Sequence, residues 1–104
     1  RVGAALRTGA GAVFTGCNVE NASYGLTLCA ERVAVACAVA AGHRDLVALA
    51  VVSDNEEVRS PCGACRQVLC EFNPDIPVIF VNPAGTRRFK ARELLPEAFS
   101  LPAK

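Results

Sequence analysis

The sequence predicts an α/β fold built on a mixed sheet, and three observations carry that prediction. Two apolar, partly alternating stretches, residues 1–6 and 12–19, flank a glycine-containing turn and form an antiparallel hairpin. Two helical patterns then alternate with two short apolar runs at residues 46–52 and 76–81, the spacing of crossover units that place strands parallel to one another. Six cysteines occur in a chain that is not loop-rich, and two of them form a C-x-x-C pair at the start of a helical pattern, which fits reduced thiols better than a disulfide framework.

The elements follow in order. Arg7, Thr8, Gly9, Ala10 and Gly11 supply the first turn, and residues 18–25 (NVENASYG) make a polar loop. The run CAERVAVACAVAAG opens near Cys29 and stops at Gly42, a residue suited to the position just past a helix end. Residues 46–52 are continuously apolar, as in a strand covered on both faces. Ser60, Pro61 and Cys62 start the second helix, with Pro61 expected in its first turn, where a missing amide costs nothing; Asn73 and Pro74 end it. The next strand begins at Pro77, Asn82 to Gly85 is a turn, and residues 89–95 are a last strand or short helix. The basic run at residues 86–92 reads as a solvated strand edge or turn, against the alternative of a phosphate-binding patch.

At 104 residues and 52% apolar content the chain is expected to be one domain spanning residues 1–104, with some apolar surface left for a subunit interface. A formal charge of +1 gives no bulk attraction to nucleic acid or an anionic membrane, so a small neutral ligand is expected, with no nucleic-acid or membrane partner. No stretch is long and apolar enough to span a bilayer, no signal peptide is visible, and the clustered thiols point to the cytoplasm.

Cys62 and Cys65, three apart on the first turn of one helix, face the same side. If Cys29, heading the other helix, leans on the same spot, three sulfurs converge there. That is the ligand count of a catalytic zinc with one position left for water, and helix N-termini favour the thiolate form. Residues two apart on a helix diverge, so Cys29 and Glu31 can serve one site only if Cys29 is the cap and Glu31 lies in the first turn. Ala30 is then small beside the ligand, and its backbone amide is free to donate to a substrate carbonyl.

These residues carry a resemblance. Cys29, Ala30 and Glu31, with Pro61, Cys62, Gly63, Ala64, Cys65, Arg66 and Gln67, resemble the zinc-dependent cytidine deaminases, and residues 15–24 (TGCNVENASY) are similar to their nucleoside-binding segment. The similarity runs on to residues 94–100 (LLPEAFS). It implies a three-layer α/β/α fold and one zinc ion per chain on Cys29, Cys62 and Cys65. The activity it implies is hydrolytic deamination of cytidine and deoxycytidine to uridine and deoxyuridine, with release of ammonia, in pyrimidine salvage. Glu31 is the implied proton carrier, Arg32 a donor to the ligand sulfurs, and Asn18 and Glu20 the partners of the ribose 3′-hydroxyl. In a homotetramer with shared active sites, Tyr24 and Phe99 would reach a neighbouring subunit's substrate. The family also has an N-terminal helix and a phenylalanine ahead of the position of Arg1, neither present in this sequence.

Competing readings are a structural zinc closed by Cys17 or Cys70, a dithiol oxidoreductase, a non-catalytic zinc-stabilised domain, and deaminases acting on a polynucleotide or a base analogue of the blasticidin type. Cys17, Cys37 and Cys70 are expected to pack as small hydrophobes, His43 to be solvated, and Arg66 and Gln67 to pack or hydrogen-bond around the second helix.

Overall fold

The computed structural model describes residues 1–101. Five strands form one sheet: β1 (Val2–Thr8), β2 (Val13–Cys17), β3 (Leu46–Ser53), β4 (Pro77–Asn82) and β5 (Gly85–Lys90), in the spatial order β2-β1-β3-β4-β5. Helices α1 (Ala30–Ala40) and α2 (Gly63–Phe72) make the two crossovers, and α3 (Ala91–Leu94) follows the last strand. β1 pairs antiparallel with both β2 and β3, so β2 and β3 run parallel with β1 between them, joined through α1. β3 and β4 are direct parallel neighbours joined through α2, and β5 closes the sheet as an antiparallel edge. The mixed α/β class is thus the one expected.

Register explains where the core lies. Leu6, Leu49 and Val78 face one another across three strands, and Ala4, Val51 and Phe80 form a second row on the same face. All six are buried. Each large side chain in these rows contributes on the order of 1.5–3 kcal/mol by leaving water. Onto this face α1 turns Ala30, Ala34, Val35 and Ala38, and α2 turns Cys65 and Leu69. The small residues of α1 are needed because the helix rides directly on β2. A Cβ at Gly16 would overlap the Ala30 carbonyl oxygen and lie 2.6 Å from the Ala34 nitrogen.

Several expectations are corrected. β1 runs two residues further than expected, because backbone pairing of Arg7 with Val13 continues the ladder past the end of the apolar pattern. β2 is shorter, and beyond it the Asn18 amide bonds the Val2 carbonyl and Val19 makes an isolated bridge to Leu28. Pro61 lies outside α2, whose cap is Cys62. The turn at Asn82 to Gly85 opens a strand that was not expected in full, so the basic run is largely an edge strand, and the expected last element is the short helix α3. β3 is covered on one face by the described residues and not on both. Ala48 and Ala50 are half-buried and Val52 exposed, so the described residues form two of the three layers that the resemblance implies. Cys17 and Cys37 are exposed and only Cys70 is half-buried, because Cys17 points to the open sheet face and Cys37 to the outer side of α1. His43 is half-buried against the Phe14 ring, with ring centroids 5.4 Å apart.

The end of α1 is placed as the sequence predicts. Gly42, at φ +93°, takes the left-handed position after α1, and the amides of Gly42 and His43 return to the carbonyls of Val39 and Ala38. This six-residue closure satisfies the last carbonyls of the helix. No helix among the described residues is long and apolar enough to cross a membrane.

Candidate active site

Cys29 and Cys62 are both helix caps in extended conformation, at φ −78°, ψ 150° and φ −67°, ψ 168°. Neither side chain bonds back to its own helix as a cap. Freed from capping, the two sulfurs turn toward each other, 3.4 Å apart, and Cys65, one turn into α2, comes within 3.4 Å of Cys62. All three lie within 4.8 Å of one another, and no fourth His, Cys, Asp or Glu among the described residues joins the group. A fourth thiol from Cys17 or Cys70 therefore does not close the site.

Three sulfurs around zinc at about 2.3 Å stand about 3.8 Å apart in tetrahedral geometry. The observed spacing fits that requirement after a slight spreading. The donor set is also right for the ion: soft thiolates at two helix N-termini, where unpaired amides offset negative charge. The first intrahelical bonds are Val33 N to Cys29 O at 3.1 Å and Arg66 N to Cys62 O at 3.0 Å, leaving the earlier amides of each helix without a helical partner.

The thiols differ in environment. Burial alone would raise the Cys62 thiol, but the Cys65 and Ala64 amides and the neighbouring Cys29 and Cys65 side chains outweigh it, and its pKa falls below the ordinary value. Cys65 is fully buried; desolvation first, then the negative charge of Glu31 and the two other thiols, pushes its pKa strongly upward in the absence of metal. Arg32 donates through Nη2 to Cys29 Sγ at 3.6 Å and to the Thr27 carbonyl at 3.3 Å. Its pKa is raised, chiefly by the bond to Cys29, while its Nε is buried without a partner.

Beside the sulfurs lies a cavity of about 190 Å³. Asn18, Glu20, Cys29, Ala30, Glu31 and Cys62 line it, so six of the residues singled out from sequence share one space. Glu31 is 5% exposed, at the second position of α1. Asn18 accepts a hydrogen bond from the Val2 amide on Oδ1 and donates through Nδ2 to Glu20 Oε1, both at 2.9 Å. Cys65, the third sulfur of the group, and Arg32, which contacts Cys29, do not line the cavity. Tyr24, 90% exposed, and Phe99, 73% exposed, are not in this cavity. Sequence reasoning did not single out Val2, Thr27, Leu28, Val58, Ser60 or Phe80, which complete its wall. Ser60 stood within reach of the cysteine motif, but Phe80 carries no signal beyond that of an ordinary core strand.

A mixed sheet bearing a three-thiol metal centre at two helix tips, with a buried carboxylate at its mouth, defines a zinc protein of the α/β deaminase type. Residues 1–81 match the family model described as the cytidine and deoxycytidylate deaminase zinc-binding region. The chain is 51% identical to cytidine deaminase of Halalkalibacterium halodurans, over 96% of this chain and 77% of that protein. It superposes on the crystal structure of cytidine deaminase from Burkholderia pseudomallei with a TM-score of 0.89 at 52% identity, covering 94% of this chain and 80% of that one. Cytidine deaminase from Mycobacterium tuberculosis gives a TM-score of 0.76 at 48% identity, covering 96% and 79%. The chain belongs to the cytidine and deoxycytidylate deaminase family, and its resident metal is one zinc ion per chain.

Proposed function

We infer that this chain catalyses the zinc-dependent hydrolytic deamination of cytidine and deoxycytidine, yielding uridine or deoxyuridine and ammonia, as in pyrimidine salvage. One observation carries the reading. Three sulfurs from two helix caps meet beside a buried carboxylate, in a cavity whose far wall holds an asparagine–glutamate pair. Zinc held by Cys29, Cys62 and Cys65 supplies Lewis acidity that makes water a nucleophile near neutral pH.

The remaining chemistry belongs to side chains of this chain. Glu31 takes a proton from the attacking water and returns it to ring nitrogen 3; a second proton passed through the same carboxylate lets the amine at carbon 4 leave as ammonia. Burial suits Glu31 to this work, because a carboxylate kept from bulk water exchanges its proton with the substrate and not with solvent. The Ala30 amide, without a helical partner, donates to the pyrimidine carbonyl. Asn18 and Glu20, already aligned by their mutual hydrogen bond, offer the ribose 3′-hydroxyl one donor and one acceptor. Arg32 shares the Cys29 sulfur and offsets the negative charge of three thiolates around a dication.

Val19, Tyr24, Leu26 and Leu28 form an exposed apolar stretch beside the cavity, and Phe99 is exposed as well. A homotetramer in which these residues meet neighbouring subunits, with Tyr24 and Phe99 at their substrates, gives that surface a partner. Clustered thiols with no disulfide among the described residues support a cytoplasmic location. The reading is tested by incubating purified protein with cytidine, following the ultraviolet change, and measuring zinc per chain on the same sample. Turnover with one zinc per chain is expected. Protein carrying stoichiometric zinc and unable to turn over cytidine or deoxycytidine would refute it.

A further inference from the structure

Cys62 can act as a ligand only if its backbone holds the extended cap conformation that aims Sγ away from α2. The residue before it, Pro61, is fully buried, and its carbonyl lies outside the helix, where no helical amide can reach it. Arg66 fills that gap. Its Nε donates to the Pro61 carbonyl at 2.8 Å, its Nη2 to Ser60 Oγ at 2.7 Å, and its Nη1 to the Leu94 carbonyl at 2.9 Å. Its own amide bonds the Cys62 carbonyl at 3.0 Å. One residue therefore grips the peptide units on both sides of a metal ligand and, with the same planar group, the end of α3. The next residue, Gln67, donates to the Phe99 carbonyl at 2.9 Å, so adjacent positions of α2 hold the chain at residues 94 and 99.

We propose that Arg66 is a positioning residue that couples the seating of residues 94–99 to the geometry of the zinc ligand Cys62, through the bridge from Leu94 to Pro61 and Ser60. The proposal rests on the reading of Cys62 as a metal ligand. The guanidinium suits this task because its donors lie fixed in one plane and reach three acceptors at once. A lysine ammonium at the same place keeps the charge and loses the span. Ser60 precedes a proline and is confined to extended backbone, so the bond to its hydroxyl fixes a segment with few other conformations. Because Ser60 also lines the cavity, the bridge runs from the C-terminal segment to the wall of the site itself.

The test uses the zinc-loaded chain and the variants Arg66→Lys and Arg66→Gln, with Gly42→Ala as a variant that weakens the fold far from the site. Zinc transfer to a chromophoric chelator and hydrogen exchange over residues 94–101 are measured on each. Both Arg66 variants are expected to release zinc about tenfold faster than wild type and to exchange faster over residues 94–99. Gly42→Ala should match wild type in zinc release. If Arg66→Lys loosens residues 94–99 while zinc release stays at the wild-type rate, Arg66 only anchors the tail and the proposal is wrong. Equal acceleration in Gly42→Ala would likewise overturn it, by tracing the effect to general stability. If Arg66→Gln does not fold, Arg66→Lys, which keeps charge and bulk, decides the matter alone. Neither readout uses cytidine, so a chain that binds zinc but fails to deaminate would sink the functional reading and leave this one standing.

Discussion

Glu31 is held almost out of solvent within one turn of the Cys29 cap, in the wall of the cavity beside the sulfurs. In the proposed reaction it is the proton carrier. Glu31→Gln preserves shape and hydrogen-bonding capacity but carries no exchangeable acidic proton, so it is expected to keep one zinc per chain while cytidine turnover falls about a hundred- to ten-thousand-fold. Near-normal turnover in that variant would remove Glu31 from the mechanism. Arg32 acts on the same centre through charge. Removing it leaves the three sulfurs with less compensation, and the acidic limb of the pH–rate profile of Arg32→Ala should move to higher pH, because the anion formed at the site is then harder to generate. An unmoved limb would show that the Arg32 contact to Cys29 is structural. The thiols themselves set the pH dependence of metal uptake. Cys65 holds its proton more tightly than an ordinary thiol when no metal is present, and zinc must displace that proton to take the sulfur as a thiolate. Titration of stripped protein with zinc should give an affinity that rises from pH 6 to pH 8 with protons released into solution; a flat dependence would contradict the three-thiolate site.

Among the elements, α1 does two jobs that compete for the same residues. Its buried stripe of Ala30, Ala34, Val35 and Ala38 docks it on the sheet, and its first turn delivers Cys29, Ala30 and Glu31 to the site. The helix must sit close to β2 to do both, which is why the facing position is Gly16. Gly16→Ala would drive a methyl group into the backbone of α1, and the helix must either lift or slide. A loss of about 1–3 kcal/mol in unfolding free energy is expected, together with weaker zinc binding because the Cys29 cap moves with the helix. Denaturant melts and chelator competition on the same variant check both parts. A variant that melts earlier but binds zinc normally would show that the cap is fixed by something other than helix docking.

At the scale of the whole molecule, the site is assembled from both crossover connections. α1 brings Cys29 and Glu31 after β2, and α2 brings Cys62 and Cys65 after β3, so the metal joins two halves of the sheet that are otherwise linked only through strand pairing and the core. The loop between β2 and α1 leaves Leu26 and Leu28 exposed next to that junction. In the proposed homotetramer Leu26 lies against another subunit, and Leu26→Glu should shift the mass seen by light scattering toward smaller species while each chain keeps its zinc. An unchanged assembly would place the interface elsewhere.

The sequence by itself determined the class of fold, the two helices, the Cys29 cap and glycine stop of the first of them, and the identity of the three metal ligands. These are local properties: hydrophobic period, turn chemistry and the spacing of thiols within one helical turn survive in a linear string. It also brought Asn18, Glu20 and Glu31 into the account, through a motif whose meaning comes from the family. Three things were decided only by tertiary structure. The full extent of β5 escaped because an edge strand of arginine and lysine buries little and leaves a faint apolar pattern. The open face of β3 escaped because a continuous apolar run looks the same whether or not a second layer covers it. Phe80 joined the site, and Arg66 the loop before Cys62, through strand register and a guanidinium reaching across 28 residues of sequence to Leu94. Proximity of that kind depends on how elements pack, and packing is a property of the whole chain that no local stretch encodes.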